Sequence, residues 1–232
     1  MKGDLKARWR KLLTLLDKQH PNARLELKFA NPLELLVATI LSAQCTDRRV
    51  NEVTKDLFRK YRPARDYAEA DPAVFEEEIH STGFYRAKTK SILACCRALV
   101  ERHGGKVPDT MEALVQLPGV GRKTANIVLG NAFGKPGIAV DTHVFRVAHR
   151  LGLAKADDPD KVEQELNQVF PRPAWTRVTN LLIFHGRYVC KAARPDCPHC
   201  LLYALCPYPD KTPPTRKATG ATKAVSTRGP RP

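Results

Sequence analysis

Apolar side chains recur at helical spacing along nearly the whole chain. Leu5, Trp9, Leu12, Leu13 and Leu16 form one stripe. Asn31-Pro32-Leu33-Glu34 reads as a helix start, with Asn31 as N-cap, Pro32 in the first turn and Glu34 closing a capping box. The helix that follows, residues 33–43, is apolar on most faces, which predicts a place at the centre of a core. Further helices are predicted over 47–61, from Asp71-Pro72 onward, and over 86–103, where Gly104-Gly105 stops the run. Short ones follow over 111–116 and 122–133, then 142–151, 159–170 and 175–188. No convincing alternating strand is present, so the fold class is all-α. The pattern ends near Pro209. Pro213-Pro214, frequent Thr and Ala, and scattered Lys211, Arg216, Lys217, Lys223, Arg228 and Arg231 make 210–232 a disordered basic tail.

Length and charge narrow the class. A chain of 232 residues holds one large domain or two small ones with real cores. It carries 39 Lys and Arg against 24 acidic residues, a formal charge of +15. A fold does not need that excess, but a polyanionic partner does, because phosphates neutralised by Lys and Arg release counterions. A solvated basic surface would look the same, so charge alone does not decide. No apolar run is long enough for a bilayer, and residues 1–10 are too charged for a signal peptide, which predicts a cytoplasmic protein without a membrane partner. Of seven cysteines, Cys45, Cys95 and Cys96 stand in apolar or helical surroundings. The other four form Cys190-x6-Cys197-x2-Cys200-x5-Cys206. In a reducing compartment such a cluster binds metal more often than it forms disulfides. Four thiolates in one loop satisfy a tetrahedral ion or a cubane cluster, and the spacing by itself leaves zinc and iron–sulfur open.

Leu117-Pro118-Gly119-Val120-Gly121-Arg122-Lys123-Thr124-Ala125-Asn126 lies between two helical segments. Gly119 and Gly121 let the backbone turn tightly and approach a ligand. The next helix begins near Arg122, so its free N–H groups and positive dipole end face whatever docks there, and a DNA phosphate fits. A plain helical corner with glycines for geometry is the bland alternative. The whole string resembles the helix-hairpin-helix element of sequence-independent DNA-binding proteins. Lys123 falls in the first turn of that helix. A cation there opposes the dipole, and loss of its proton yields the neutral amine that a Schiff base requires. A second string, Ala139-Val140-Asp141-Thr142-His143-Val144-Phe145-Arg146, places Asp141 just before an amphipathic stretch. Asp141 reads as an N-cap whose second oxygen is left to face a cleft. His143 reads as a supporting residue rather than a catalytic one.

Taken together, the hairpin with Lys123, the Val-Asp-Thr-His string, Leu41-Ser42-Ala43-Gln44-Cys45-Thr46-Asp47 and the cysteine spacing resemble the endonuclease III family of DNA glycosylases, over about residues 5–208. The resemblance implies a six-helix domain of residues 25–136. It implies a second domain of residues 1–24 with 137–209, and a cleft between the two faced by Lys123 and Asp141. It implies a base excision repair enzyme acting as a monomer on double-stranded DNA with damaged bases or abasic sites. In that family the lysine matching Lys123 attacks C1′ of the damaged nucleotide and displaces an oxidised pyrimidine. Beta-elimination through the imine then cleaves the strand. The aspartate matching Asp141 assists proton transfer and stabilises positive charge on the sugar.

The same resemblance implies a [4Fe–4S] cluster on Cys190, Cys197, Cys200 and Cys206. Lys191 and Arg194, with Arg187 nearby, would then bring positive charge to the DNA backbone. Gln44 would enter the gap left by an extruded base, and Phe84 would wedge the opposite strand where an aliphatic side chain is familiar. Gly119, Gly121 and Arg122 would meet the phosphates, with Ser42, Asp47 and His143 in support. Phe84 as ordinary core is the rival reading. An adenine-excising relative and a G:T mismatch glycosylase share much of this pattern but tend to lack a lysine at the position of Lys123. A catalytically silent DNA-binding module with a structural metal fits hairpin, charge and cysteines, and only the co-occurrence of Lys123 with Asp141 argues against it.

Overall fold

The computed structural model describes residues 2–213, with side chains from residue 8 onward. Leu5 of the first stripe and nearly all of the 210–232 tail therefore lie outside the described side chains. Eleven α-helices and three short 3₁₀ turns make up the regular structure of the described residues, and no strand is present among them. The all-α expectation holds.

The central helix is α2 (Pro32–Leu41). Asn31 caps it, its side chain accepting from Glu34 N at 3.0 Å. Glu34 closes the turn one residue further back than the sequence suggests, accepting from Ala30 N at 2.6 Å. Eight of the ten residues of α2 are buried, and each fully buried Leu contributes about 1.5–3 kcal/mol. Around α2 pack α3 (Asp47–Lys60), α6 (Tyr85–His103) and α8 (Arg122–Ala132). The short helices α4 (Ala64–Ala68) and α5 (Pro72–Ile79) lie on α6, and α7 (Met111–Leu114) leads to α8. Helix α4 has no counterpart in the periodicity. It is five residues long and Pro63 before it supplies no side-chain cap.

A second set of helices comprises α1 (Lys2–Gln19), α9 (Thr142–Arg150), α10 (Pro159–Val169) and α11 (Trp175–Tyr188). The buried apolar residues fall into two clusters. One runs from Leu27 to Ala139, and the other joins Leu12 and Leu16 of α1 to the chain from Ile138 to Leu202. Arg177 ties α1 to α11, its Nε donating to Asp17 Oδ1 at 2.8 Å. None of the described helices is long and apolar enough to cross a membrane.

Candidate functional site

Three turns converge on one side of the first core. Between α2 and α3, Ser42 caps α2 and its Oγ donates to Thr39 O at 2.7 Å. The chain then passes through Gln44, exposed and left-handed at φ 52°, before Thr46 caps α3. Before α6, Gly83 and Phe84 stand at φ 70° and 50°, and Phe84 is 64 % exposed, which removes it from the core. Before α8, Gly119 takes φ 75°, and a Cβ there would lie 2.7 Å from Ser91 Cβ, so only glycine fits. These turns enclose a cavity of about 390 Å³ lined by Ser42, Gln44, Phe84, Lys88, Gly119 and Lys123, among others. Lys88 lies at its buried edge, donating to Thr82 O at 2.8 Å. Burial pushes its ammonium below the ordinary lysine value.

Lys123 is exposed in the first turn of α8, and Gly121 immediately before that helix is extended. Arg122 does not stand free at this helix end: Nε and Nη2 donate to Glu163 at 2.8 and 2.9 Å. Asp141 is the N-cap of α9, its Oδ1 accepting from Val144 N at 2.7 Å. It is not among the residues lining the cavity that holds Lys123. A link between the two segments runs through Asn126, one turn after Lys123, whose Nδ2 donates to Ile138 O at 2.9 Å.

A second cavity, about 770 Å³, opens on the other side of the 42–47 turn. Cys45 and Asp47 line it from the first core, and His143, Arg187 and Tyr188 from the second. Arg187 bridges it, donating to Asp47 Oδ2 at 2.7 Å and also to Glu26. Tyr188 Oη donates to the other Glu26 oxygen at 3.0 Å. Burial holds the His143 imidazole below the ordinary value, against the pull of Asp141. The sequence offers no sign of Glu26 or Tyr188, because their partners lie more than a hundred residues away.

Cys190, Cys197, Cys200 and Cys206 line one cavity with Arg150 and His185, and none forms a disulfide. No His, Cys, Asp and Glu group among the described residues converges as a ready single-ion site. Burial pushes Cys200 up to about 11 and Cys206 upward as well, and the neighbouring sulfurs add to both shifts. Bound positive charge reverses that effect, so the donor set suits a metal core that draws the thiols into thiolates. Arg150 Nη1 donates to Cys190 Sγ at 3.4 Å and to Lys191 O at 2.7 Å, while His185 Nε2 stands 3.6 Å from Cys200 Sγ. Lys191 and Arg194 are exposed on the same loop.

The helical fold with a glycine hairpin beside a lysine-lined cavity defines a DNA repair class: residues 37–172 match the HhH-GPD superfamily of base excision DNA repair proteins. Endonuclease III of Synechocystis sp. is 51% identical over 203 residues, 87% of this chain and 93% of that protein. Endonuclease III of Escherichia coli strain K12 is 42% identical over 206 residues, 89% of this chain and 98% of that protein. A solved non-covalent endonuclease III–DNA complex superposes with a TM-score of 0.84 at 47% identity, covering 88% of this chain and 95% of its own. The chain belongs to the endonuclease III family, and is thereby a DNA glycosylase and abasic-site lyase of base excision repair.

Proposed function

We propose that Lys123 is the nucleophile of this enzyme and Asp141 its carboxylate. The single observation that carries the reading is the cavity where Lys123 meets Gln44 and Phe84. There the two non-glycine residues of positive φ in the described chain flank a primary amine at a helix N-terminus. The substrate is duplex DNA bearing an oxidised pyrimidine or an abasic site. The hairpin amides at Gly119 and Gly121 receive the phosphates, with Lys191 and Arg194 adding charge from the cysteine loop. Gln44 fills the gap left by the extruded nucleotide and Phe84 wedges the opposite strand. The larger cavity takes the extruded base, with Asp47, Arg187 and His143 on its walls. The two cores are two domains, residues 25–136 and residues 1–24 with 137–209, and the protein works as a monomer in the bacterial cytoplasm on nucleoid DNA.

The neutral ε-amine of Lys123 attacks C1′. The C1′–N bond breaks and the base leaves with the bonding pair and a proton. Asp141 stabilises the cationic sugar and moves protons. Ring opening gives an imine between Nζ and C1′, and removal of a C2′ proton expels the 3′ phosphate. Cys190, Cys197, Cys200 and Cys206 would hold a [4Fe–4S] cluster, which braces the loop carrying Lys191 and Arg194.

Borohydride reduction tests this. Abasic-site DNA should become covalently linked to the protein, and peptide mapping should place the link on Lys123. Lys123→Gln should abolish trapping. Asp141→Asn keeps the cap, so fold and DNA binding survive. Base excision should fall roughly 10²- to 10⁴-fold, the range of general acid–base assistance, with less loss on a preformed abasic site. A link to another lysine, or full trapping by Lys123→Gln, refutes the assignment.

A further inference from the structure

Helix α8 carries Lys123, and another face of the same helix is fastened to the second core at three successive turns. Arg122, Asn126 and Gly130 recur every four residues and so share one face. At the first turn Arg122 makes its two-pronged pair with Glu163 of α10. At the second Asn126 holds Ile138 O, and a Cβ on Gly137 would fall 2.4 Å from Asn126 Oδ1. At the third a Cβ on Gly130 would fall 2.6 Å from Thr176 Oγ1. The seam is close-packed, and its polar anchor is unusual. The Glu163 side chain is only 7% exposed, beside Val162 and Leu166 of the second core. A carboxylate that far from water is costly unless paired, so Arg122 is committed to it. Its guanidinium is drawn to α10, away from the role of a free phosphate ligand.

We propose that the Arg122–Glu163 pair is a positioning device for the reaction: it locks the hairpin end of α8 to α10 and thereby fixes Lys123 against Asp141. Lys123 is the next residue after Arg122 at the first anchor, and Asp141 follows by three residues Ile138, whose carbonyl is held at the second, so both reacting groups leave from anchored points of this seam. The inference rests on the roles proposed above for Lys123 and Asp141.

Arg122→Met, Glu163→Gln and the double variant are compared with wild type in three assays. They are single-turnover excision of an oxidised pyrimidine at saturating protein, borohydride trapping on a preformed abasic site, and affinity for undamaged duplex against salt. Each single variant should slow excision roughly ten- to hundredfold, the loss expected when a reacting group shifts by about 1 Å. The double variant should be no slower than the slower single one, because both remove the same contact. Trapping, which does not need Asp141 for base departure, should fall less than excision, and the salt slope should not move. General instability would instead lower both reactions alike. If Glu163→Gln does not fold, Arg122→Lys replaces it, keeping the charge but not the two-pronged contact, with the same outcomes expected. Wild-type excision in the Arg122 variants, or a reduced salt slope in Arg122→Met, overturns the proposal. A wild-type protein that neither excises nor traps overturns the roles of Lys123 and Asp141, and this pair's role with them. An active wild type with unaffected variants overturns the pair alone.

Discussion

Phe84 and Gln44 stand at φ 50° and 52° on the rim of one cavity. A left-handed backbone costs a side-chain-bearing residue about 1–2 kcal/mol and persists where the surroundings hold it. Phe84 recovers little of this by burial, being 64% exposed. Strain and exposure both make sense if the ring is held ready for DNA. Phe84→Gly should therefore be more stable than Phe84→Ala by about 1 kcal/mol, since only glycine relieves the strain, while both slow excision. Denaturant midpoints and single-turnover rates check this, and equal stability or wild-type excision in both contradicts it. His143 yields a pH dependence. Burial lowers its pKa from 6.5, so the folded protein resists protonation that the unfolded chain accepts. The stability it contributes is complete above about 6.5 and is lost as pH falls below that value. Melting temperature should drop less steeply between about pH 6.5 and 5 in His143→Asn than in wild type. Parallel curves would mean that this imidazole titrates alike in both states.

At the scale of elements, sequence and structure agree wherever a helix is long and amphipathic. The run beginning at Thr142 buries Val144, Val147 and Ala148 on one face, and its observed end differs from the expected one by a single residue. Helix α2 stops at Leu41 rather than 43, because the 42–47 turn has its own geometry around Gln44, which hydrophobic periodicity does not register. The contiguous parts of the site, the hairpin and the cysteine string, are legible because their chemistry lies within one stretch of chain. Glu26 and Glu163 are not, and Arg187 shows in the sequence only as a charge near the cysteine loop and not as the partner of Glu26 and Asp47, since each pairing is made only by tertiary packing. Glu163 did leave a trace, a carboxylate among the buried positions of α10. For the cysteine loop, purified protein should be yellow-brown with broad absorption near ~400 nm. Cys197→Ser should bleach that absorption and lower the melting temperature, as loss of a metal that braces a loop does. Colourless protein with stoichiometric zinc and no iron would contradict the cluster.

At the scale of the molecule, the formal charge of +15 does not count the phosphates bound. Many of the arginines are already engaged. Arg48 and Arg49 pair with Glu52, Arg122 with Glu163, Arg177 with Asp17, and Arg187 with Glu26 and Asp47. Arg146 and Arg150 donate to backbone carbonyls around the cysteine loop. Arg122, Arg177 and Arg187 join elements far apart in the chain, and recruiting them to DNA means breaking those contacts, whereas the exposed pairs of Arg48 and Arg49 within α3 are weak and easily given up. The charges left for the backbone are exposed ones such as Lys191 and Arg194, joined by the hairpin amides, which add hydrogen bonds but release no counterions. Binding of undamaged duplex should then be sequence-independent but only moderately steep in salt. With roughly five phosphates neutralised, affinity falls on the order of 500-fold between about 50 and about 200 mM salt. Lys211 is engaged as well, its Nζ donating to Cys206 O at 2.8 Å. Deleting residues 214–232, which carry Arg216, Lys217, Lys223, Arg228 and Arg231, should flatten that slope while leaving single-turnover excision intact, because the reacting groups lie elsewhere. Fluorescence titration across a salt series measures both. A slope near zero would remove the phosphate backbone as the main partner. A slope well above that of about five phosphates would mean that more of the exposed cations meet the backbone than this count allows.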